Sequence, residues 1–164
     1  MTDFIPFKLY GRDFRYYNEE RIESEFQNKI NNWKPMAISI HKKNYRKLQF
    51  RIDKKKYMML LHRVIYYVHN QDWNIYDNSQ DNCIDHIHHT TGEILDNSIS
   101  NLRVVTQQQN TFNKNGKGYF WDKQNQKWQA QIRINGRAIY LGYFKIESDA
   151  RDAYLAGKAI YHII

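Results

Sequence analysis

The dipeptide Asn135-Gly136 stands between two strand-like runs, KWQAQIRI (127–134) and AIYLGYF (138–144). Asn and Gly both tolerate positive φ, which a two-residue hairpin turn demands of its central pair, so the flanking runs are expected to pair antiparallel. Along KWQAQIRI the residue type alternates. Trp128, Ala130, Ile132 and Ile134 fall on one face, and Gln129, Gln131 and Arg133 on the other. GYFWD (118–122) lies just upstream across the polar link KQNQ and supplies a third strand. From Glu147 to Tyr161 the spacing becomes helical, opened by acidic residues, with Ala150, Ala153, Tyr154, Gly157 and Ile160 on one side. Residues 115–164 therefore read as a small three-stranded antiparallel sheet plus one helix.

Upstream of the Gly- and Asn-rich break NKNGKG (113–118), the best linker in the chain, the pattern differs. Residues 1–44 read as a prefix, helix then strand. Asn18-Glu19-Glu20 can open a polar helix running to about Lys29, with Ile22 and Phe26 four apart. MAISIH (36–41) and KLQFRI (47–52) alternate as strands do, and YMML (57–60) follows a break at Asp53-Lys54-Lys55. HRVIYYVHN, from His62, carries Val64, Ile65 and Val68 at helical spacing. Ile84 and Ile87 flank Asp85-His86, which suits a strand; Thr90-Thr91-Gly92-Glu93 is turn chemistry, and LRVV (102–105) is a second strand. Thr106-Gln107-Gln108-Gln109 is a capping box, so a helix should start at Thr106 with Asn110 one turn inside it. The expected class is α+β, divided at 1–44, 45–114 and 115–164, with no internal repeat.

Hydrophobic residues make up 41% of the 164 and aromatics 15%, enough for packed cores and against general disorder. The 13 Tyr and 4 Trp exceed what a core of this size needs, so some should face a partner. The formal charge of +8 favours a polyanion. Residues 115–164 hold 8 Lys+Arg against 4 Asp+Glu, so half of that excess sits in the shorter C-terminal part. Cys83 is the single cysteine, which leaves no internal disulfide or Cys-rich zinc ribbon and suits a reducing, intracellular setting. No apolar run approaches membrane-spanning length, and MTDFIPFKLYGRDF is not a signal peptide. The expectation is an intracellular monomer, in cytoplasm or host nucleus, with no membrane partner and no nucleotide cofactor.

Phosphodiester cleavage needs an activated water, a cation to neutralise developing charge, and a scaffold that aligns both. Mg²⁺ takes oxygen ligands, only one or two of them from protein. An Asp carboxylate and an Asn amide oxygen suit it, and a neutral His beside them can take a proton from water. Asp85, His86 and Asn110 are of these types. A tetrahedral zinc site is disfavoured, because Cys83, His86, His88 and His89 crowd one strand and turn.

HRVIYYVHN, IDHI and DNSISNLRVVTQQQN occur in that order and together resemble an HNH endonuclease of the ββα-metal kind, the phage and intron-associated branch, over residues 45–114. The resemblance implies His86 as general base and Asn101 as the middle Asn that braces the loop and orients His86. It implies Asp85 and Asn110 as protein ligands of one divalent cation, Mg²⁺ or Mn²⁺. His62 and Arg63 match an upstream His-Arg that is read as structural. The HHTTGE segment lengthens the loop beyond the usual family pattern, and His88 and His89 read as solvated loop residues. In homing-type relatives this architecture spreads genes by cutting alleles that lack them.

A small sheet can enter the major groove of DNA, where Arg reads guanine, Gln reads adenine and Lys neutralises phosphate. The Trp-x-Ala-x-Ile-Arg run, the Tyr-Leu-Gly-x-Phe run and the Ala-containing helix resemble an AP2 DNA-binding domain over residues 117–162. The resemblance implies contact with double-stranded DNA through Lys117 at the entrance and Gln131, Arg133 and Tyr140 on the strands. Lys123, Lys127, Gln129 and Arg137 complete the expected set. Phe120 and Ala138 stand where many plant members carry Arg, so a plant-type target sequence is not implied. Trp121, Trp128, Leu141, Gly142 and Phe144 read as core and turn residues.

The leading expectation is a DNA endonuclease placed by its own DNA-reading module, since a tethered second contact becomes intramolecular. The alternatives are an AP2-type regulator with a catalytically silent HNH scaffold and a non-specific nuclease toxin.

Overall fold

Three hairpins close on two-residue links whose residues both sit at positive φ: Tyr10-Gly11 (50° and 79°), Asp53-Lys54 (47° and 67°) and Asn135-Gly136 (49° and 74°). Positive φ at both positions gives the turn a twist that matches the strands it joins. Asn135-Gly136 is the link expected from its chemistry. Tyr10 and Lys54 adopt the same backbone without that advantage.

The computed structural model describes residues 3–25, 31–41, 44–88, 96–113 and 116–164. It is a mixed α+β protein, mostly antiparallel strands, with three α-helices among the described residues and no sheet there closing into a barrel. The chain packs as two compact units: Met1–Ser79 with Ile84–Val104, and Gln80–Cys83 with Val105–Ile164.

In the first unit, β1 (Ile5–Leu9), β2 (Arg12–Asn18), β3 (Arg21–Glu25) and β4 (Trp33–Pro35) form an antiparallel sheet in chain order. The helix expected from Asn18 is therefore a β-hairpin instead. The Asn18 side-chain oxygen accepts the N–H groups of Glu20 and Arg21, each at 2.9 Å. Such an Asx turn uses the same residue type that would cap a helix, and here it reverses the strand. Ile22 then pairs with Tyr16 and Ser24 with Phe14, so the apolar period is two, not four. Phe26 to Lys29, the rest of the expected helix, lie outside the described residues.

A second antiparallel sheet comprises β5 (Ile38–Ile40), β6 (Arg46–Ile52) and β7 (Lys55–Leu60), followed by α1 (Leu61–His69). Leu61, Val64, Ile65 and Val68 form the buried stripe of α1. They share one core with Phe7, Leu9, Phe14 and Ile22 of the first sheet and with Leu48 and Phe50 of β6. Each such side chain, fully buried, contributes about 1.5–3 kcal/mol. Ile84 and Leu102 extend the core to β8 (Cys83–His86) and β9 (Leu102–Val105), which pair after a short 3₁₀ turn, Ile99–Asn101.

In the second unit, α2 (Gln107–Phe112) has the expected capping box. Thr106 Oγ1 accepts from Gln109 N–H at 3.1 Å, and Gln109 Oε1 accepts from Thr106 N–H at 2.9 Å. Strands β10 (Tyr119–Asp122), β11 (Lys127–Ile134) and β12 (Arg137–Phe144) form the expected sheet in that order, backed by α3 (Glu147–Tyr161). Ala130 and Ile132 are buried on the helix side with Ala150 and Tyr154. The register shifts at Ala130/Gln131, where Leu141 bulges between Tyr140 and Gly142. Gly118 packs against the Tyr154 ring, and a Cβ there would sit 2.1 Å from Tyr154 Cε2. Among the described residues, no helix is long and apolar enough to cross a membrane.

Candidate functional site

Strand β8 carries Asp85 and His86, which are 2% and 1% exposed. Burying an ionised carboxylate is costly unless a cation and hydrogen bonds compensate it. Arg103, on β9, does so: its Nε and Nη2 donate to Asp85 Oδ2 at 3.1 and 3.0 Å.

His86 meets a different set of neighbours. Its Nε2 lies 3.0 Å from Asn97 Oδ1, both residues being buried. The His62 ring packs edge-on against it, with centroids 5.1 Å apart and planes at 81°. Tyr45 completes the cluster, 5.2 Å from His62 and 5.9 Å from His86. Burial, then the neighbouring His86 and Arg63, push the His62 pKa down to about 3. His62 is thus a neutral packing ring, in line with the structural role read for it. Arg63 donates to the carbonyls of Ile75 and Asp77 (both 2.9 Å) and stacks over Trp73. Burial foremost, and then the Asp85 charge, raise the Tyr45 pKa.

Asn101, 4% exposed, clamps the loop from both ends. Its Oδ1 accepts from His88 N–H at 2.8 Å, while its Nδ2 donates to the carbonyls of His88 (3.3 Å) and Asp96 (2.9 Å). Its own carbonyl accepts from Ile87 N–H at 2.9 Å. Asn101 therefore braces the loop, whereas the amide that meets the His86 ring belongs to Asn97. His89 and Thr90 to Glu93 lie outside the described residues.

Asn110 sits in α2, its N–H donating to the Thr106 carbonyl at 2.9 Å, and belongs to the second unit, whereas Asp85 belongs to the first. Among the described residues, no three His, Cys, Asp or Glu side chains converge to hold a metal ion. The donor types at Asp85 and Asn110 are both hard oxygens, which suit Mg²⁺ or Mn²⁺ better than zinc. Cys83, whose thiol lies 3.3 Å from Gln107 Oε1, is engaged within the second unit.

The second unit presents an open sheet face opposite α3. Cross-strand pairing lines up Phe120, Gln129 and Tyr143, then Gln131 with Tyr140, then Arg133 with Ala138. Tyr140 is 55% exposed, Phe120 45% and Tyr143 38%. Tyr143, absent from the expected set, donates its hydroxyl to Asp122 at 2.6 Å and lies 3.2 Å from Gln129 Oε1. That bond and those from Asn125 and Gln124 hold the Asp122 pKa down to about 2. Lys123 and Lys127 are exposed at the β10–β11 end. Arg137 is exposed too, but it pairs with Ile134 and so falls on the other row. Lys117 stands 3.8 Å from Glu147, with both side chains exposed. Trp121 is not core: it is 45% exposed and touches Trp128 edge-on, with centroids 5.7 Å apart. As the end strand of the sheet, β10 has cover from β11 on one side alone.

Asn97 and Arg103 carried no signal of their own in the sequence; an Arg between apolar strand residues, beside a strand bearing Asp, is the one hint available. Comparison with family models, curated proteins and solved structures finds no match to this chain.

Proposed function

We propose that the chain is a metal-dependent DNA endonuclease of the HNH kind, held on duplex DNA by its C-terminal sheet. The observation that supports this most is the Asp85-His86 pair itself, two adjacent polar side chains removed from water, each met by a directed polar partner. Such burial costs stability and is a mark of sites kept for chemistry. The strand–loop–strand–helix order around the pair supports the same reading.

In this reading His86 takes the proton from the attacking water as a neutral imidazole. Asn101 holds the loop ends, and Arg103 pairs with Asp85 through two hydrogen bonds. Asp85 would be a protein ligand of one Mg²⁺ or Mn²⁺, which when bound would neutralise charge on the scissile phosphate. Gln129, Gln131, Arg133 and Tyr140 contact base edges, while Lys117, Lys123 and Lys127 neutralise backbone phosphates. The protein acts as an intracellular monomer.

The alternative, a DNA-binding regulator with a silent nuclease scaffold, draws support from the same burial, because Oδ2 of Asp85 already serves Arg103 and His86 is almost fully enclosed. Incubation with supercoiled plasmid and Mg²⁺ or Mn²⁺ separates the two. Nicking that His86→Ala abolishes, with DNA affinity retained, is the expected result. Sequence-preferring binding without nicking in either metal favours the regulator, and absence of both binding and nicking overturns both readings.

A further inference from the structure

We propose that Tyr143, anchored by Asp122, fixes the side-chain amide of Gln129 with its oxygen turned outward. Gln129 then favours bases that carry an amino group in the major groove, adenine and cytosine, over the keto bases guanine and thymine. This role for Tyr143 rests on the reading of the open sheet face as the one that contacts DNA. Gln129 lies in a cross-strand row between Phe120 and Tyr143. A phenyl ring has no polar atom, so within that row the Tyr143 hydroxyl is what can orient the amide. That hydroxyl carries one hydrogen, and Asp122 claims it. Its oxygen lies 2.6 Å from Asp122 Oδ2, against 3.2 Å for the Gln129 amide. Asp122 is a carboxylate at neutral pH, its pKa held down to about 2 by the Tyr143 hydroxyl foremost and then by Asn125. A charged acceptor at the shorter distance takes the proton.

The other groups around the hydroxyl are committed too. Asn125 Nδ2 directs its two hydrogens to Asp122 Oδ2, at 2.9 Å, and to the Tyr143 oxygen, at 3.0 Å. Asp122 Oδ1 accepts the backbone N–H groups of Gln124 (2.9 Å) and Asn125 (3.2 Å), so the carboxylate cannot swing away without breaking its turn. Tyr143 therefore has an oxygen lone pair for Gln129 but no hydrogen. With Oε1 at that point, two oxygens would face each other with no proton between them. The two ends of an amide are alike in shape, and their partners decide which faces which. Nε2 belongs beside Tyr143, as donor, and Oε1 on the far side. An unanchored glutamine is ambivalent: its oxygen accepts from an amino group, its nitrogen donates to a keto oxygen, and a half-turn exchanges them. The anchor removes that choice and lowers the ordering cost of the orientation it keeps.

Selection of bound duplexes from a randomised pool tests this, with the full chain and with EDTA present so that nothing is cut. The position read by Gln129 is the one whose preference changes in Gln129→Ala. There the wild type should retain adenine and cytosine over guanine and thymine by about tenfold, the scale of one directed base contact. Tyr143→Phe keeps the ring and removes the hydroxyl, and the ratio should fall to about twofold or less. Added to Gln129→Ala, Tyr143→Phe should change nothing at that position. Four results overturn the proposal while leaving DNA binding intact: a keto preference in the wild type, an unchanged ratio in Tyr143→Phe, an effect of Tyr143→Phe that persists without Gln129, or no position that depends on Gln129. If Tyr143→Phe does not fold, the wild-type preference still decides, amino for the proposal and keto against it. A chain that binds no duplex at all sinks the DNA-reading assignment of the sheet, and this role for Tyr143 with it.

Discussion

Arg103 donates from both Nε and Nη2 to one oxygen of Asp85, and the aspartate side chain that receives them is 1% exposed. Removing the cation would strand a carboxylate in the interior. Arg103→Ala should therefore destabilise the first unit by about 2–4 kcal/mol, since breaking a buried pair on one side leaves its partner uncompensated. Arg103→Lys should recover part of this, because one point donor replaces a fork. Urea denaturation checks both; a loss below about 0.5 kcal/mol for Arg103→Ala would show that the pair behaves as a surface one.

His62 gives the first unit a defined acid sensitivity. Its folded pKa of about 3 lies below the ordinary histidine value of 6.5, so the unfolded chain binds the proton more readily. The stability from keeping His62 neutral is fully present above about pH 6.5 and is lost as pH falls towards 3, by up to about 1.4 kcal/mol per pH unit. His62→Phe keeps a ring in the His86 and Tyr45 cluster but cannot titrate. Its urea midpoints should fall less steeply on acidification than those of the wild type. Parallel slopes would assign the acid sensitivity to other groups.

Gly118 and Gly136 should respond to alanine in different degrees. At Gly118 the new Cβ would lie 2.1 Å from the Tyr154 ring and 2.5 Å from the Gln131 carbonyl oxygen, so strand or helix must shift. A cost of about 3 kcal/mol or more is expected, at the upper end of overpacking. At Gly136 nothing lies within 4 Å, and the cost is that of φ +74° alone, about 1–2 kcal/mol. Thermal melts of the two variants should rank in that order, and the reverse order would show that the Gly118 contact with Tyr154 does not hold in solution.

On DNA, Arg133→Ala should relax sequence preference and weaken the preferred site by about 1–3 kcal/mol, as loss of a bidentate base contact does. Lys117→Ala should weaken all sequences alike and lower the salt slope by about 0.9. Its pairing with Glu147 at 3.8 Å is exposed and contributes little to the fold, so the effect should appear in binding and not in melting. An unchanged preference in Arg133→Ala would mean that the row of Gln129, Gln131 and Arg133 does not face the bases.

The second unit was legible because its signals are local. Asn135-Gly136 sets one hairpin, alternation along KWQAQIRI sets its faces, and Thr106 with Gln109 sets a helix start. The N-terminal sheet was not, because Asn18 can serve either a helix cap or an Asx turn. What selects the turn is the pairing of Ile22 with Tyr16 and the core beyond it, which depends on chain far from Asn18. For the site, Asp85, His86 and Asn101 could be singled out by type and order. Their partners could not: Arg103 sits among apolar strand residues and Asn97 in a polar loop. Hydrogen bonds between such distant positions leave no periodicity in the chain.

The shared core also limits how this protein can be taken apart. Leu48, Phe50 and Val64 pack in one cluster with Phe7, Leu9, Phe14 and Ile22 of the N-terminal sheet. Excising residues 45–114 as a separate piece would expose the apolar side chains that now meet the N-terminal sheet. Any excised piece that keeps this core has to start at β1.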